Sequence, residues 1–344
     1  MPTLSDVRLP RLSPTAYRNV ALATLVSLVV ITVVGAGVRL TGSGLGCSTW
    51  PSCEPGSFTP RSASDGHAMI EFANRLLNAT IGLLTIAAVA GARLRRPYRP
   101  DLFRWALALF AWVLSNGLVG ALVVWLHLSP VSVIGHFVLS LGAIWNGLVL
   151  YRRADDGHAE EPEATAGPHR YDATPAFVAA SKGLLVAVTI VLLSGTVVTG
   201  SGPHAGDDRA DRLDLEVGTV ARLHGLAMIA FLVLTIAVVR MAHRGDAAPR
   251  VAQRSHELLV VLVAQAVLGY WQYFAGVPEL LVAFHVLGAA LVWIAVLRLW
   301  MSLPADDASH AAWQAAGHRD PAAAPTGPTG DGPRSGAVAP SATP

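Results

Sequence analysis

Long apolar runs separated by short polar stretches set the organisation of the chain. Eight runs, at 20–38, 68–92, 103–125, 130–151, 177–199, 217–239, 258–274 and 279–300, are long enough to cross a bilayer. A helix rising about 1.5 Å per residue needs about 20 apolar residues for that. The first run leads directly into a glycine-rich loop and lacks a small-residue cleavage site, so it is expected to be a retained helix and not a removed leader. Few polar side chains interrupt these runs, and the ones that do recur. In the first half Glu71, Phe72, Ala73, Asn74 and Arg75 are followed by His136, 62 residues after Asn74. In the second half Ala221, Arg222, Leu223, His224 and Gly225 are followed by His285, 61 residues after His224. Ionisable groups are costly in a membrane, and there they read as functional by default.

Other signals repeat with the same two-half spacing. Thr41, Gly42, Ser43 and Gly44 match Thr199, Gly200, Ser201 and Gly202, and Gly37 matches Gly195. Asn116 and Gly120 match Gln265 and Gly269, each glycine standing 16 residues before its histidine. With four helices per half, both halves start on the same side, so the repeat is parallel and not inverted. The expected fold is therefore all-α and polytopic, with eight transmembrane helices arranged as two parallel-repeat four-helix bundles. The expected divisions are a cytoplasmic tail at 1–19, an N-terminal bundle at 20–151 and a cytoplasmic linker at 152–176. A C-terminal bundle at 177–301 and a disordered cytoplasmic tail at 302–344 follow.

Composition supports this reading: 53% of residues are hydrophobic and 14% charged, against about 25% charged in soluble domains. The net charge of +2 says little, but its distribution orients the chain. Nineteen Lys and Arg fall on one side and six on the other, which places both termini in the cytoplasm of a plasma membrane. Nucleic acid is not an expected partner. The only cysteines, Cys47 and Cys53, share one outer loop; they are too few for a zinc or iron–sulfur site. A local disulfide closing the loop as a lid suits an oxidising compartment, and a redox-active thiol pair is the alternative.

On this topology Asn74, His136, His224 and His285 lie at similar shallow depth on the outer side. Two facing imidazoles in a helical bundle form a bis-axial ligand set for haem iron, and His224 with His285 supplies one. Zinc would want further ligands. In the first half Asn74 stands where His224 stands in the second, leaving His136 as the nitrogen ligand and an open face on any metal it binds. Glu71 shares a helical face with Asn74 and Arg75; a carboxylate there suits proton transfer, or a structural ion pair with Arg75. Arg39, Arg75 and Arg222 suit anionic cofactor groups such as haem propionates, or interfacial snorkelling. His67, two turns before Asn74, could add a ligand or move protons.

The run Val38, Arg39, Leu40, Thr41, Gly42, Ser43, Gly44, Leu45, Gly46 and Cys47, with Trp50, Pro51 and Cys53, closely resembles the haem A synthase family. So do Ile70, Glu71 and Phe72 with Arg75, Leu76 and Leu77, and the contexts of His136, His224 and His285. The resemblance covers about residues 18–301, and the 202–207 loop looks like the actinobacterial variant. It implies an oxidoreductase that converts the C8 methyl of haem O to a formyl group, giving haem A for the terminal cytochrome oxidase. It implies a haem b held by His224 and His285, a substrate haem at His136 and an essential Glu71. It also implies a disulfide between Cys47 and Cys53. The family motif has histidine where Asn74 stands, so His136 alone, His67, or the propionates and farnesyl tail would anchor the substrate. Membrane lipid, a haem O synthase and an electron acceptor are the implied partners, and a homo-oligomer is compatible with the sequence. A b-type cytochrome electron carrier without substrate chemistry, and a transporter built from parallel repeats, are the alternatives from other classes.

Overall fold

The computed structural model describes residues 11–155, 174–247 and 249–303. Residues 156–173 of the expected linker and nearly all of the expected C-terminal tail lie outside these residues; the described ends of the linker belong mostly to α4 and α5. Eight long helices make up the described chain: α1 Pro14–Leu40, α2 Gly66–Leu94, α3 Pro100–Trp125, α4 Pro130–Ala154, α5 Pro175–Ser201, α6 Val217–Met241, α7 Pro249–Phe274 and α8 Glu279–Trp300. All eight are long and apolar enough to span a bilayer, and no strand occurs among the described residues. This is a multi-pass membrane protein.

Several helices begin earlier than their apolar runs. α1 starts at Pro14, where proline suits the first helical position and the Ser13 hydroxyl accepts from the Ala16 N–H at 3.2 Å. α2 and α5 are capped in the same way by Asp65 and Thr174. α7 gains two polar turns carrying Arg250, Gln253, Arg254 and Glu257. A hydropathy window stops at such polar turns, whereas backbone hydrogen bonding carries the helix on into the interface.

α1 packs against α2 and α4, and α3 closes the first group by contacting both α2 and α4. α5 to α8 form a second group in the same cyclic order. The groups meet where α8 lies against α1 and α4, and α4 against α5. Gly147 lets α4 approach α1 closely, since a Cβ there would stand 2.9 Å from Leu28 Cδ1. At the seam the Trp293 indole of α8 donates to the Leu141 carbonyl of α4 at 3.0 Å. Many large apolar side chains on the outward faces are exposed, such as Leu83, Val186, Val233 and Val260, as lipid contact requires.

The repeat extends to backbone conformation. The turn before α4 places His127 and Leu128 at φ of 49° and 62°, and the turn before α8 places Gly276 and Val277 at 79° and 61°. Each turn ends its helix in the same way: Leu128 N–H reaches Val123 O at 2.9 Å, and Val277 N–H reaches Gln272 O at 2.8 Å. A β-branched residue is strained at positive φ, so Val277 is held there by the turn and not by its own preference.

Candidate functional site

The sequence-matched histidines sit near the N-terminal ends of their helices. His136 is the seventh residue of α4 and His285 the seventh of α8. His224 lies in the second turn of α6. Within the second group the rings of His224 and His285 face each other with centroids 6.5 Å apart and planes at 77°. A metal held by two imidazole nitrogens at about 2 Å each, with each ring centre roughly 1 Å further back, sets centroids about 6 Å apart. The pair therefore has the spacing of two ligands on opposite sides of one metal.

Each ring is held from behind. The Ser194 hydroxyl meets His224 Nδ1 at 3.0 Å. The Gln265 amide spans His285, lying 3.1 Å from Nδ1 and 2.8 Å from its backbone oxygen. Such partners fix ring orientation in metal sites. Glycines open the space beside the rings: a Cβ on Gly195 would stand 3.1 Å from His224 Cε1, and one on Gly269 3.0 Å from His285 Cε1. The match of Gly195 and Gln265 to first-half positions was legible in sequence. Their contacts, and the role of Ser194, were not; a serine directly before a matched glycine was the only signal.

The first half keeps part of this design. Gly120 faces His136 Cε1 as Gly269 faces His285, with a would-be Cβ at 3.3 Å. Asn116, the counterpart of Gln265, donates instead to Ser140 Oγ at 3.1 Å. His136 Nδ1, Asn116 Oδ1 and Asn74 Oδ1 are all buried without a hydrogen-bond partner among the described residues. Unpartnered buried polar atoms are uncommon and need a reason. Opposite Asn74 the pattern lapses: nothing lies within 4 Å of a Cβ on Gly37, and Ala36 stands where Ser194 stands in the second half. Thus the imidazole and the hydroxyl that orients it are absent together.

Glu71 is 4% exposed, and its carboxylate is directed at the loop between α1 and α2. Oε2 accepts from the Cys47 N–H at 2.6 Å, and Oε1 accepts from Arg75 Nε at 3.1 Å and Nη2 at 2.5 Å. Arg75 also donates to the carbonyls of Thr49 and Ser52 at 2.7 and 3.0 Å. A Cys47–Cys53 disulfide closes this loop, with both cysteines fully buried against α2. The ion pair foreseen between Glu71 and Arg75 is thus present, and together they fasten the loop over the first half. His67, in the first turn of α2, meets Ser43 Oγ at 3.0 Å and belongs to the base of the same loop.

The other arginines divide. Arg222 is exposed and donates to Gly218 O at 3.1 Å beside Glu216. Arg39 crosses between the halves and donates to Thr199 O at 2.5 Å. Nearby, the Gly44 N–H donates to Gly206 O at 2.8 Å, joining the α1–α2 loop to the α5–α6 loop. Gly206 has φ of 103°, a conformation that requires glycine. Deeper in the seam is an apolar cavity of about 210 Å³, lined by Trp112, Phe137, Leu141, Thr189, Leu193 and Trp293.

The cytochrome oxidase assembly protein family matches residues 18–206, which include Glu71, Asn74 and His136 but not His224 or His285. A haem A synthase of Symbiobacterium thermophilum is 31% identical over 192 residues, 54% of this chain and 60% of that protein. One of Exiguobacterium sibiricum is 30% identical over 179 residues, 51% of this chain and 57% of that protein. One of Bacillus mycoides is 34% identical over 124 residues, 35% of this chain and 39% of that protein. The chain therefore matches at most 60% of the length of these relatives.

Proposed function

The chain belongs to the cytochrome oxidase assembly protein family, and from that premise we propose that it is a haem A synthase. Its substrate is haem O, whose C8 methyl it oxidises to a formyl group, a net change that takes one oxygen atom from water and releases four protons and four electrons, the electrons passing to an external acceptor. The observation that carries its haem-binding part is the His224–His285 pair, whose ring centroids lie 6.5 Å apart, so that both imidazoles would hold one haem iron. Ser194 and Gln265 orient those ligands, and Gly195 and Gly269 leave the rings the room they need. The donor set fits haem b better than zinc, because no group of three or more His, Cys, Asp or Glu side chains converges among the described residues. When bound, haem b supplies one-electron redox chemistry beside the substrate.

The first half takes the substrate. His136 offers an imidazole there, and Asn74 and Asn116 add unpartnered polar atoms. Asn74, where the second half has His224, offers no ring nitrogen from α2, so His136 would be the nitrogen ligand to the substrate iron. The apolar seam cavity, lined by Phe137, which follows His136 in the chain, suits the substrate's hydrocarbon tail. Glu71 receives or holds the proton released as the methyl group is oxidised, with Arg75 and the Cys47 N–H keeping its carboxylate in place. The Lys and Arg bias puts both termini in the cytoplasm and the two sites toward the outer face.

The test is expression in a host that makes haem O but no haem A. The intact chain should produce haem A, and Glu71→Ala should abolish it while the low-spin haem signal remains. Undiminished haem A in Glu71→Ala removes Glu71 from the chemistry. No haem A from the intact chain removes the synthase reading.

A further inference from the structure

On the outer side, at the seam between the halves, two guanidinium groups lie near each other without a carboxylate partner among the described residues. Arg39 stands in the last turn of α1 and donates to Thr199 O of α5 at 2.5 Å. Arg212, in the loop between α5 and α6, donates to Gly202 O at 2.7 Å. They are close enough for the charge of Arg212 to act on Arg39. Arg39 Nε is buried and has no hydrogen-bond partner among the described residues.

The neighbouring outer arginines are provided for differently. Arg75 is paired with Glu71, Arg61 with Glu54 and Arg209 with Asp207. Arg39 and Arg212 have no such partner among the described residues, and two like charges brought together in a partly apolar setting repel. A planar guanidinium fork is suited to a carboxylate or phosphate, which would remove the repulsion and take the free N–H groups.

Position narrows the choice. Thr199 is one helical turn, about 6 Å, outward from Gly195, the glycine against the His224 ring. A flat apolar ligand held at His224, with acidic groups on one edge, would direct that edge toward the seam. We propose that Arg39 and Arg212 form an anion site across the two halves, and that its occupant is a propionate carboxylate of a bound haem. This rests on the haem-binding function proposed above. It draws one arginine from each half, so the halves are held together by the ligand as well as by their helices.

The experiment uses the full chain in nanodiscs of phosphatidylcholine, titrated with protohaem and with protohaem dimethyl ester, in which both propionates are esterified. The wild type should bind protohaem roughly tenfold more tightly than the ester. Arg39→Gln and Arg212→Gln should lose that preference while their affinity for the ester stays at the wild-type level. If the variants weaken both ligands equally, the arginines serve only to build the seam, and the proposal is overturned. A repeat in phosphatidylglycerol nanodiscs distinguishes a lipid phosphate. If the substitutions abolish retention of that lipid but leave the protohaem preference intact, the occupant is a headgroup and the proposal is again overturned. A wild type that takes up neither porphyrin overturns the haem-binding function itself, a result distinct from the other two.

Discussion

Replacing Gly195 by alanine adds a methyl group at 3.1 Å from His224 Cε1, 3.6 Å from Nδ1 and 3.8 Å from Nε2. Carbon atoms rest at about 3.5–4.0 Å, so the ring must retreat by roughly half an ångström. Such a retreat carries the ring away from α5 and stretches the 3.0 Å bond by which Ser194, next to Gly195 on the same helix, orients Nδ1. Metal–ligand distances tolerate about 0.2 Å, less than the displacement the methyl group demands. The same substitution at Gly37, the matching place in the first half, meets nothing within 4 Å. Both changes also bring a helix-propensity gain of roughly 1 kcal/mol, so a simple stability effect would move the two variants the same way. The assay is haem content per purified chain by pyridine haemochrome, with the visible spectrum of the reduced protein. Gly195→Ala should lose at least about tenfold in bound low-spin haem, the usual scale when a ligand's orientation is disturbed, while Gly37→Ala should match the wild type. Full haem content in Gly195→Ala, or an equal loss in Gly37→Ala, would refute the reasoning.

Other consequences follow from particular contacts. His285→Ala should remove the low-spin haem spectrum while leaving the chain folded by circular dichroism. Arg75→Ala leaves the buried Glu71 carboxylate without its cation; it should destabilise the protein by about 3 kcal/mol and speed reduction of the Cys47–Cys53 disulfide by a water-soluble thiol. Val277→Gly relieves a positive φ at a β-branched residue and should stabilise the protein by about 1 kcal/mol, a gain that Val277→Ala should not reproduce in thermal melts. Glu216 caps α6 from outside the membrane span, and the Thr219 hydroxyl holds its carboxyl below the usual range. A lowered value in the folded state means that this stabilisation is complete above about pH 5 and fades as pH falls through the lowered value. Glu216→Gln should therefore melt below the wild type at neutral pH, with the difference shrinking as the solution is acidified.

The helices were legible because apolar run length is nearly sufficient to specify a membrane span, and the internal match of Gly120 to Gly269 showed the repeat. Their starts were less legible, since Ser13, Pro14 and the polar first turns of α7 continue helices past the apolar limit. The histidines stood out as rare polar residues at matched spacing. What the spacing did not carry was direction. Glu71, Asn74 and Arg75 share a helical face, yet the Glu71 carboxylate is taken up by a loop some 24 residues earlier in the chain. Likewise the bonds of Ser194 to His224 and of Gln265 to His285 depend on how α5 meets α6 and α7 meets α8. The seam between Arg39, Thr199 and Arg212 depends on how the two halves dock, which no local pattern encodes.

The central claim is that this duplicated helical framework holds a haem cofactor in one half and acts on a second haem in the other. Extraction of the pigments from the purified full-length protein, followed by chromatographic separation, tests it most directly. Haem B together with haem O or haem A is the expected result. Haem B alone would favour an electron carrier without substrate chemistry, and an extract with no haem would contradict the claim altogether.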